Sequence, residues 1–294
     1  FMTHTLENEL LRIKIEDHGA ELCEIYDKEN SRQVLWQADP AYWKRHAPVL
    51  FPNVGRYYKD RCQINGKTYC CGQHGFARDM DFVCTEESNV SVTHCLTSSD
   101  ATREFYPFTF ELYINHQLHG KDVSVSWKVI NKDTETMFFT IGGHPAFRVP
   151  VLPDTSRSQY FLTFSGQKEL TYCLLDLSTG TALPDQTRTL PLENGACRID
   201  PHMFDRDALI FDNNQITKAG IALPDGTPYV ELICQGFPSF GIWSSSMDAP
   251  FVCLEPWMGR CDNSGFEDEL SQKPNINKLD SDGVFEKAYV ISIK

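Results

Sequence analysis

Short segments with a two-residue apolar period, or rich in β-branched and aromatic residues, recur along the whole chain, each closed by turn residues. They fall at 10–15, 21–26, 105–115, 123–130, 137–141 and 160–164, and again at 208–211, 229–234, 240–243, 251–254 and 288–293. That period sends successive side chains to opposite faces, so each segment can bury one face as a strand. Between them lie tight-turn signals: Asn65-Gly66, Ser88-Asn89, His119-Gly120-Lys121-Asp122 and Pro224-Asp225-Gly226. No segment holds a 3.6-residue apolar stripe over three turns, and only 41–46 and 264–271 read as short helices.

The fold class is therefore all-β. No composition shift, low-complexity linker or internal repeat divides the chain, so residues 1–294 read as a single large antiparallel sandwich domain. The number of strands exceeds what a plain immunoglobulin-type sandwich holds. Phe1 is set aside as preceding a natural start at Met2.

The 27 Lys and Arg against 40 Asp and Glu give a net charge of -13, which repels phosphate backbones and anionic lipid. Nucleic acid and membrane surfaces are thus not expected partners. No charged leader with an apolar core opens the chain, and no apolar run approaches the roughly 20 residues of a membrane span. The eleven cysteines include no Cys-x-x-Cys pair and read as free thiols, which fits a reducing cytoplasm. The neighbours Cys70 and Cys71 are poorly placed to bond each other.

Three segments set a titratable side chain beside Gly or Pro in an apolar setting: Gln73-His74-Gly75-Phe76-Ala77-Arg78, Gly142-Gly143-His144-Pro145-Ala146-Phe147 and Leu254-Glu255-Pro256-Trp257. Glycine permits a close turn and proline ends ladder pairing, so each His or Glu falls where a strand stops. Alone, His74 or His144 reads as readily as a structural histidine. Glu255 follows the apolar run Phe251-Val252-Cys253-Leu254, so burial should raise its pKa; an ion pair with Arg260 is the alternative. Two histidines and a carboxylate can also hold a divalent metal, but three distant segments without a paired ligand favour none. His116 and His119 flank a turn and read as solvated. No Gly-x-Ser-x-Gly elbow, phosphate-binding glycine loop or dinucleotide fingerprint is present.

At these segments the chain resembles the aldose 1-epimerase (galactose mutarotase) family, and its spelling is most similar to the LacX-like branch. Further marks are Gly19-Ala20-Glu21-Leu22, the run from Pro40-Ala41-Tyr42-Trp43 to Pro48, Leu50-Phe51-Pro52-Asn53-Val54-Gly55-Arg56, Asp207-Ala208-Leu209-Ile210-Phe211 and Glu255-Pro256-Trp257-Met258-Gly259-Arg260. The resemblance implies a β-supersandwich that binds a sugar on its concave face with no metal or organic cofactor. It implies Glu255 as general base, His144 as general acid, His74 as second histidine, Arg56 as a substrate-holding arginine and Asp207, two residues from Asp205, as a sugar-binding carboxylate.

Mutarotases for free galactose typically follow the first histidine with two glycines, whereas His74 is followed by Gly75-Phe76-Ala77-Arg78. That spelling is more similar to the hexose-6-phosphate 1-epimerase branch, in which arginines matching Arg56 and Arg78 help to hold the phosphate. A guanidinium fork suits phosphate oxygens; a salt bridge from Arg78 to Asp79 or Asp81 is the competing role. Trp257 and Phe147 are placed to stack on a sugar ring or to fill the core, and core is favoured for Phe147.

The expected activity is interconversion of the α and β anomers of a hexose by acid-base ring opening and reclosure. The alternatives are a hexose-6-phosphate 1-epimerase and a non-catalytic sugar-binding protein on the same scaffold. The expected partner is a small sugar or sugar phosphate. A homodimer through a sheet edge or apolar patch is compatible with the sequence, which does not locate one.

Overall fold

Two large antiparallel sheets carry most of the chain in the computed structural model, which describes residues 2–294. Phe1 lies outside the described residues. In the nine-stranded sheet the order is Ala196–Arg198, Phe161–Phe164, Lys218–Ala222, Pro228–Ile233, Val284–Ile293, Asp122–Asn131, Phe110–His119, Ser91–Thr97 and Val83–Glu87. In the eight-stranded sheet it is Thr181–Pro191, Glu169–Asp176, Leu209–Phe211, Ser239–Trp243, Phe251–Met258, Ile141–Gly143 and Val49–Leu50, with Ala146–Arg148 also pairing onto Phe251–Met258. A four-stranded sheet, Thr3–Glu7, Leu11–Glu16, Glu21–Asp27 and Arg32–Gln33, packs its buried Leu6, Ile13 and Ile15 into the same core.

The two-residue period explains how the eight-stranded sheet serves a core and a site at once. Along Phe251–Met258, Val252 and Leu254 join the main hydrophobic core, whereas Cys253, Glu255 and Trp257 alternate onto the other face. The neighbours follow suit: Phe240 and Ile242, Leu209 and Phe211 face the core, while Trp243 and Ile210 face away from it. Phe147 is wholly buried in the main core.

Both expected helices give way to turns. At 41–46, Asp39 accepts from the amides of Ala41, Tyr42 and Trp43, but the turn does not propagate. In 264–271 the chain runs through turns into a short 3-10 helix at Leu270–Gln272. The expected run 105–115 begins as a strand only at Phe110, although Tyr106 and Phe108 are already buried. The hairpin signals stand: Asn65 and Gly66 take φ of 50° and 75° between Arg61–Ile64 and Lys67–Cys70, and Gly226 takes 88°.

His116 corrects a further expectation. It alternates in register with Leu112, Ile114 and Leu118 on the inner face, is buried, and has its pKa driven down to about 3 by desolvation. His119 is exposed. All eleven cysteines are free, and no helix among the described residues is long and apolar enough to cross a membrane.

Candidate functional site

One cavity of about 790 Å³ opens on the outer face of the eight-stranded sheet, and Arg56, His74, Arg78, His144, Asp207, Glu255 and Trp257 all line it. The floor is the Phe251–Met258 strand, which contributes Glu255 and Trp257 from alternate positions. Trp257 lies across the ladder from Gly142, and its indole extends over Gly241, the partner of Glu255 on the other neighbouring strand. A Cβ on Gly241 would stand 2.3 Å from the indole, and one on Gly142 2.6 Å.

His144 follows the Ile141–Gly143 strand, where Pro145 interrupts pairing before the chain rejoins Phe251–Met258 through Ala146–Arg148. Its ring is buried between two tryptophans: Trp43 stacks on it at 4.9 Å and 27°, and Trp243 meets it edge-on at 5.7 Å and 80°. Its Nε2 lies 3.2 Å from Oε1 of Glu255. Desolvation drives the His144 pKa down to about 3, aided by the charges of Arg78 and Arg45. Desolvation likewise pushes Glu255 well above the carboxylate range, with Asp207 adding to the rise. The nearby carboxylate does not hold His144 charged in the free site, because burial disfavours charge on both partners. Burial thus favours the neutral imidazole and the neutral carboxyl over their charged forms.

His74 sits on a loop zipped to the segment before Arg56. The amides of Phe76 and Ala77 donate to the Phe51 carbonyl, and the amide of His74 donates to the Gly55 carbonyl. Gly75 is required there: its φ is 70°, and a Cβ would fall 2.2 Å from the Phe51 oxygen. The Gly55 amide in turn donates to Nδ1 of His74 at 2.8 Å. Burial, then the neighbouring His144 and arginines, hold His74 neutral, well below its usual pKa.

The arginines form the rim. Arg78 is not consumed by a salt bridge: Asp79 takes both its close bonds from Arg45, at 2.8 and 3.2 Å, and stands 3.9 Å from Nε of Arg78. Asp81 pairs with His18 instead. Arg78 donates only to the Gln73 carbonyl, at 3.0 Å, and its buried Nε has no partner; burial and Arg45 lower its pKa to about 10. Arg56 is half exposed and pairs with Asp60 at 2.9 Å. Asp207 lines the cavity at a φ of 68°, whereas Asp205 turns to His202 at 2.8 Å. Arg260 bonds Asp212 in bidentate fashion and leaves Glu255 without the ion pair considered for it.

Sequence reasoning missed Trp43 and Trp243 as parts of this wall, and the 177–180 loop that lines the cavity beside Arg56, where Gly180 lies against the arginine side chain. The alternation of Trp243 with Ile242 carried a signal for its outward face. Nothing in the spelling of Leu177-Ser178-Thr179-Gly180 did. A metal would find His144, Cys253 and Glu255 with donor atoms within 4.8 Å of one another. Burial keeps the Cys253 thiol protonated, which makes it a poor ligand.

The whole chain has relatives of this form. Protein LacX of Lactococcus lactis subsp. lactis, chromosomal form, is 32% identical over 99% of both chains. Among solved structures, a galactose mutarotase related enzyme from Lactobacillus acidophilus superposes with a TM-score of 0.93 at 31% identity, covering 100% of this chain and 97% of that one. A galactose mutarotase-like protein from Lactobacillus casei gives 0.91 at 29%, covering 100% of both. The family model described as Aldose 1-epimerase matches residues 2–259, which include Arg56, His74, Arg78, His144, Asp207, Glu255 and Trp257. By fold and by sequence, this chain belongs to the aldose 1-epimerase family.

Proposed function

We propose that the chain is a mutarotase, which interconverts the α and β anomers of a hexose without a cofactor. The observation that carries this reading is the contact of His144 Nε2 with Glu255 Oε1, 3.2 Å apart at the floor of a cavity of sugar size. Ring opening must remove the proton from the anomeric O1 and deliver one to O5 as the C1–O5 bond breaks. The neutral pair holds one shared proton. Its transfer from Glu255 to His144 gives a carboxylate and an imidazolium, the two forms the reaction uses. Glu255 then takes the O1 proton while His144 protonates O5, and the neutral pair is restored in the open-chain state. Rotation about C1–C2 and the reverse transfers close the ring on its other face. His74, neutral, donates a hydrogen bond to oxygen as charge develops, and Trp257 offers its face to the sugar ring.

A 6-phosphorylated hexose is the second reading, favoured by Arg78. A guanidinium with unused donors at the rim, accompanied by Arg56 and Lys59, suits a phosphate. The test follows anomer exchange by NMR over a panel of free and 6-phosphorylated hexoses. Glu255→Gln, folded, should lose the acceleration; an unchanged rate would refute the mutarotase reading. Arg78→Met should raise KM for phosphorylated sugars alone if they are the substrates. Sugar binding without accelerated exchange in the unaltered protein would instead mark a binding protein.

A further inference from the structure

A second cluster of ligand-type side chains lies away from the cavity, where the Thr3–Glu7 strand packs on the edge of the nine-stranded sheet. His4 comes from that strand, Asp17 from the end of the next, and His94 from Ser91–Thr97. Nε2 of His4 lies 2.8 Å, and Nε2 of His94 3.0 Å, from the same oxygen, Oδ1 of Asp17. Both histidines are buried, their side chains 3% and 0% exposed, while Asp17 at 24% keeps an opening to water. None of the three lines the sugar cavity.

We infer that His4, Asp17 and His94 form a binding site for one divalent transition-metal ion, of which zinc is the natural candidate. Two imidazole nitrogens and a carboxylate oxygen are a donor set for zinc and its first-row neighbours, with the exposed side left for water. The three donor atoms lie within 4.8 Å of one another, so small side-chain shifts bring them onto one ion. A second contact orients the set: Oε1 of Glu87 lies 3.1 Å from Nδ1 of His4. A carboxylate there accepts a hydrogen bond from Nδ1–H and leaves the Nε2 lone pair directed at the metal, the usual outer support of a metal-bound histidine. The site ties the first strand to the sheet edge, so its ion acts on stability and not on sugar chemistry.

The inference is independent of the mutarotase reading, and so is its test. The full-length protein, stripped with a chelator, is titrated with zinc and with cobalt by calorimetry and visible absorption. One equivalent per chain, a rise in Tm and a cobalt spectrum without a thiolate charge-transfer band are expected. Asp17→Asn and His94→Gln should each weaken binding at least about tenfold, with anomer exchange unchanged. Asp17, partly exposed, carries the result if the buried His94 variant folds poorly. Cys253→Ser, which alters the cluster in the sugar cavity, should leave affinity unchanged. Absence of binding, binding indifferent to Asp17→Asn, or binding lost in Cys253→Ser would each overturn the inference.

Discussion

Nδ1 of His74 accepts the Gly55 amide proton at 2.8 Å, and this single bond decides which nitrogen of the ring serves the site. With Nδ1 an acceptor and the ring neutral, the proton sits on Nε2. His74 is thus a fixed donor, ready for an oxygen that gains charge. His74→Phe should lower kcat by about 10² to 10³, the cost of losing one such donor. It should also destabilise the fold by about 1–3 kcal/mol, because the Gly55 amide loses its acceptor. NMR anomer exchange and thermal unfolding measure the two effects separately.

Buried neutral histidines give the protein an acid limit. His144 and His116 have folded pKa values of about 3 against an ordinary 6.5, so between those values the unfolded chain binds protons that the native state refuses. The stability these two rings contribute is full above pH 6.5 and falls as the pH drops toward 3, with a slope of up to about 1.4 kcal/mol per pH unit from each ring. Glu255 has the opposite sign: its raised pKa favours the native state below 4.5 and disfavours it as the pH rises toward the folded value. Urea titrations across pH 4 to 8 should find the slope below pH 6.5 reduced in His116→Gln. An unaltered slope there would mean that His116 is already charged or solvated in the native state.

How much of this was legible in the sequence follows from what each signal depends on. The strands were, because a two-residue period is a local property; the same period on 112, 114, 116 and 118 also carried the burial of His116, which its nearness to a turn concealed. The titratable site residues stood out because Gly75, Pro145 and Pro256 stand beside them, although Glu255 and Pro256 lie inside the Phe251–Met258 strand and not where it stops. The helix expected at 41–46 failed because one Asp39-capped turn ends where Trp43 reaches His144, a contact between residues far apart in sequence. The 177–180 loop was hidden for the same reason: only the closure of the Glu169–Asp176 and Thr181–Pro191 hairpin brings it to the cavity. Charge state was the least legible, since desolvation depends on the whole enclosure and not on neighbours in the chain.

The seat of Trp257 offers a packing test. A methyl group on Gly241 would stand 2.3 Å from the indole, so Gly241→Ala must displace the ring or the strand beside it. Overpacking of this kind is expected to cost about 1–3 kcal/mol. Because Trp257 forms the cavity floor next to Glu255, sugar KM should rise along with the loss of stability. Unchanged KM in a destabilised variant would mean that the ring face does not touch the sugar.

Beneath the rim, a buried pair sets the position of Arg56. Nζ of Lys273 lies 2.7 Å from Oδ1 of Asp262, with both side chains almost wholly enclosed. Asp262 holds three pieces of the cavity wall together: its amide donates to the Arg56 carbonyl, its Oδ2 accepts from Tyr58, and its carbonyl accepts from Ala182. Removing the cation strands the carboxylate, so Lys273→Met should destabilise by about 3–5 kcal/mol. Adding Asp262→Asn removes the orphaned charge while keeping an acceptor for Tyr58, and the double variant should recover part of that loss. In both variants KM should rise more than kcat falls, since Arg56 moves while His144 and Glu255 stay seated on their own strands. A double variant no more stable than Lys273→Met would show that the lysine stem, through its packing, matters more than the charge it neutralises.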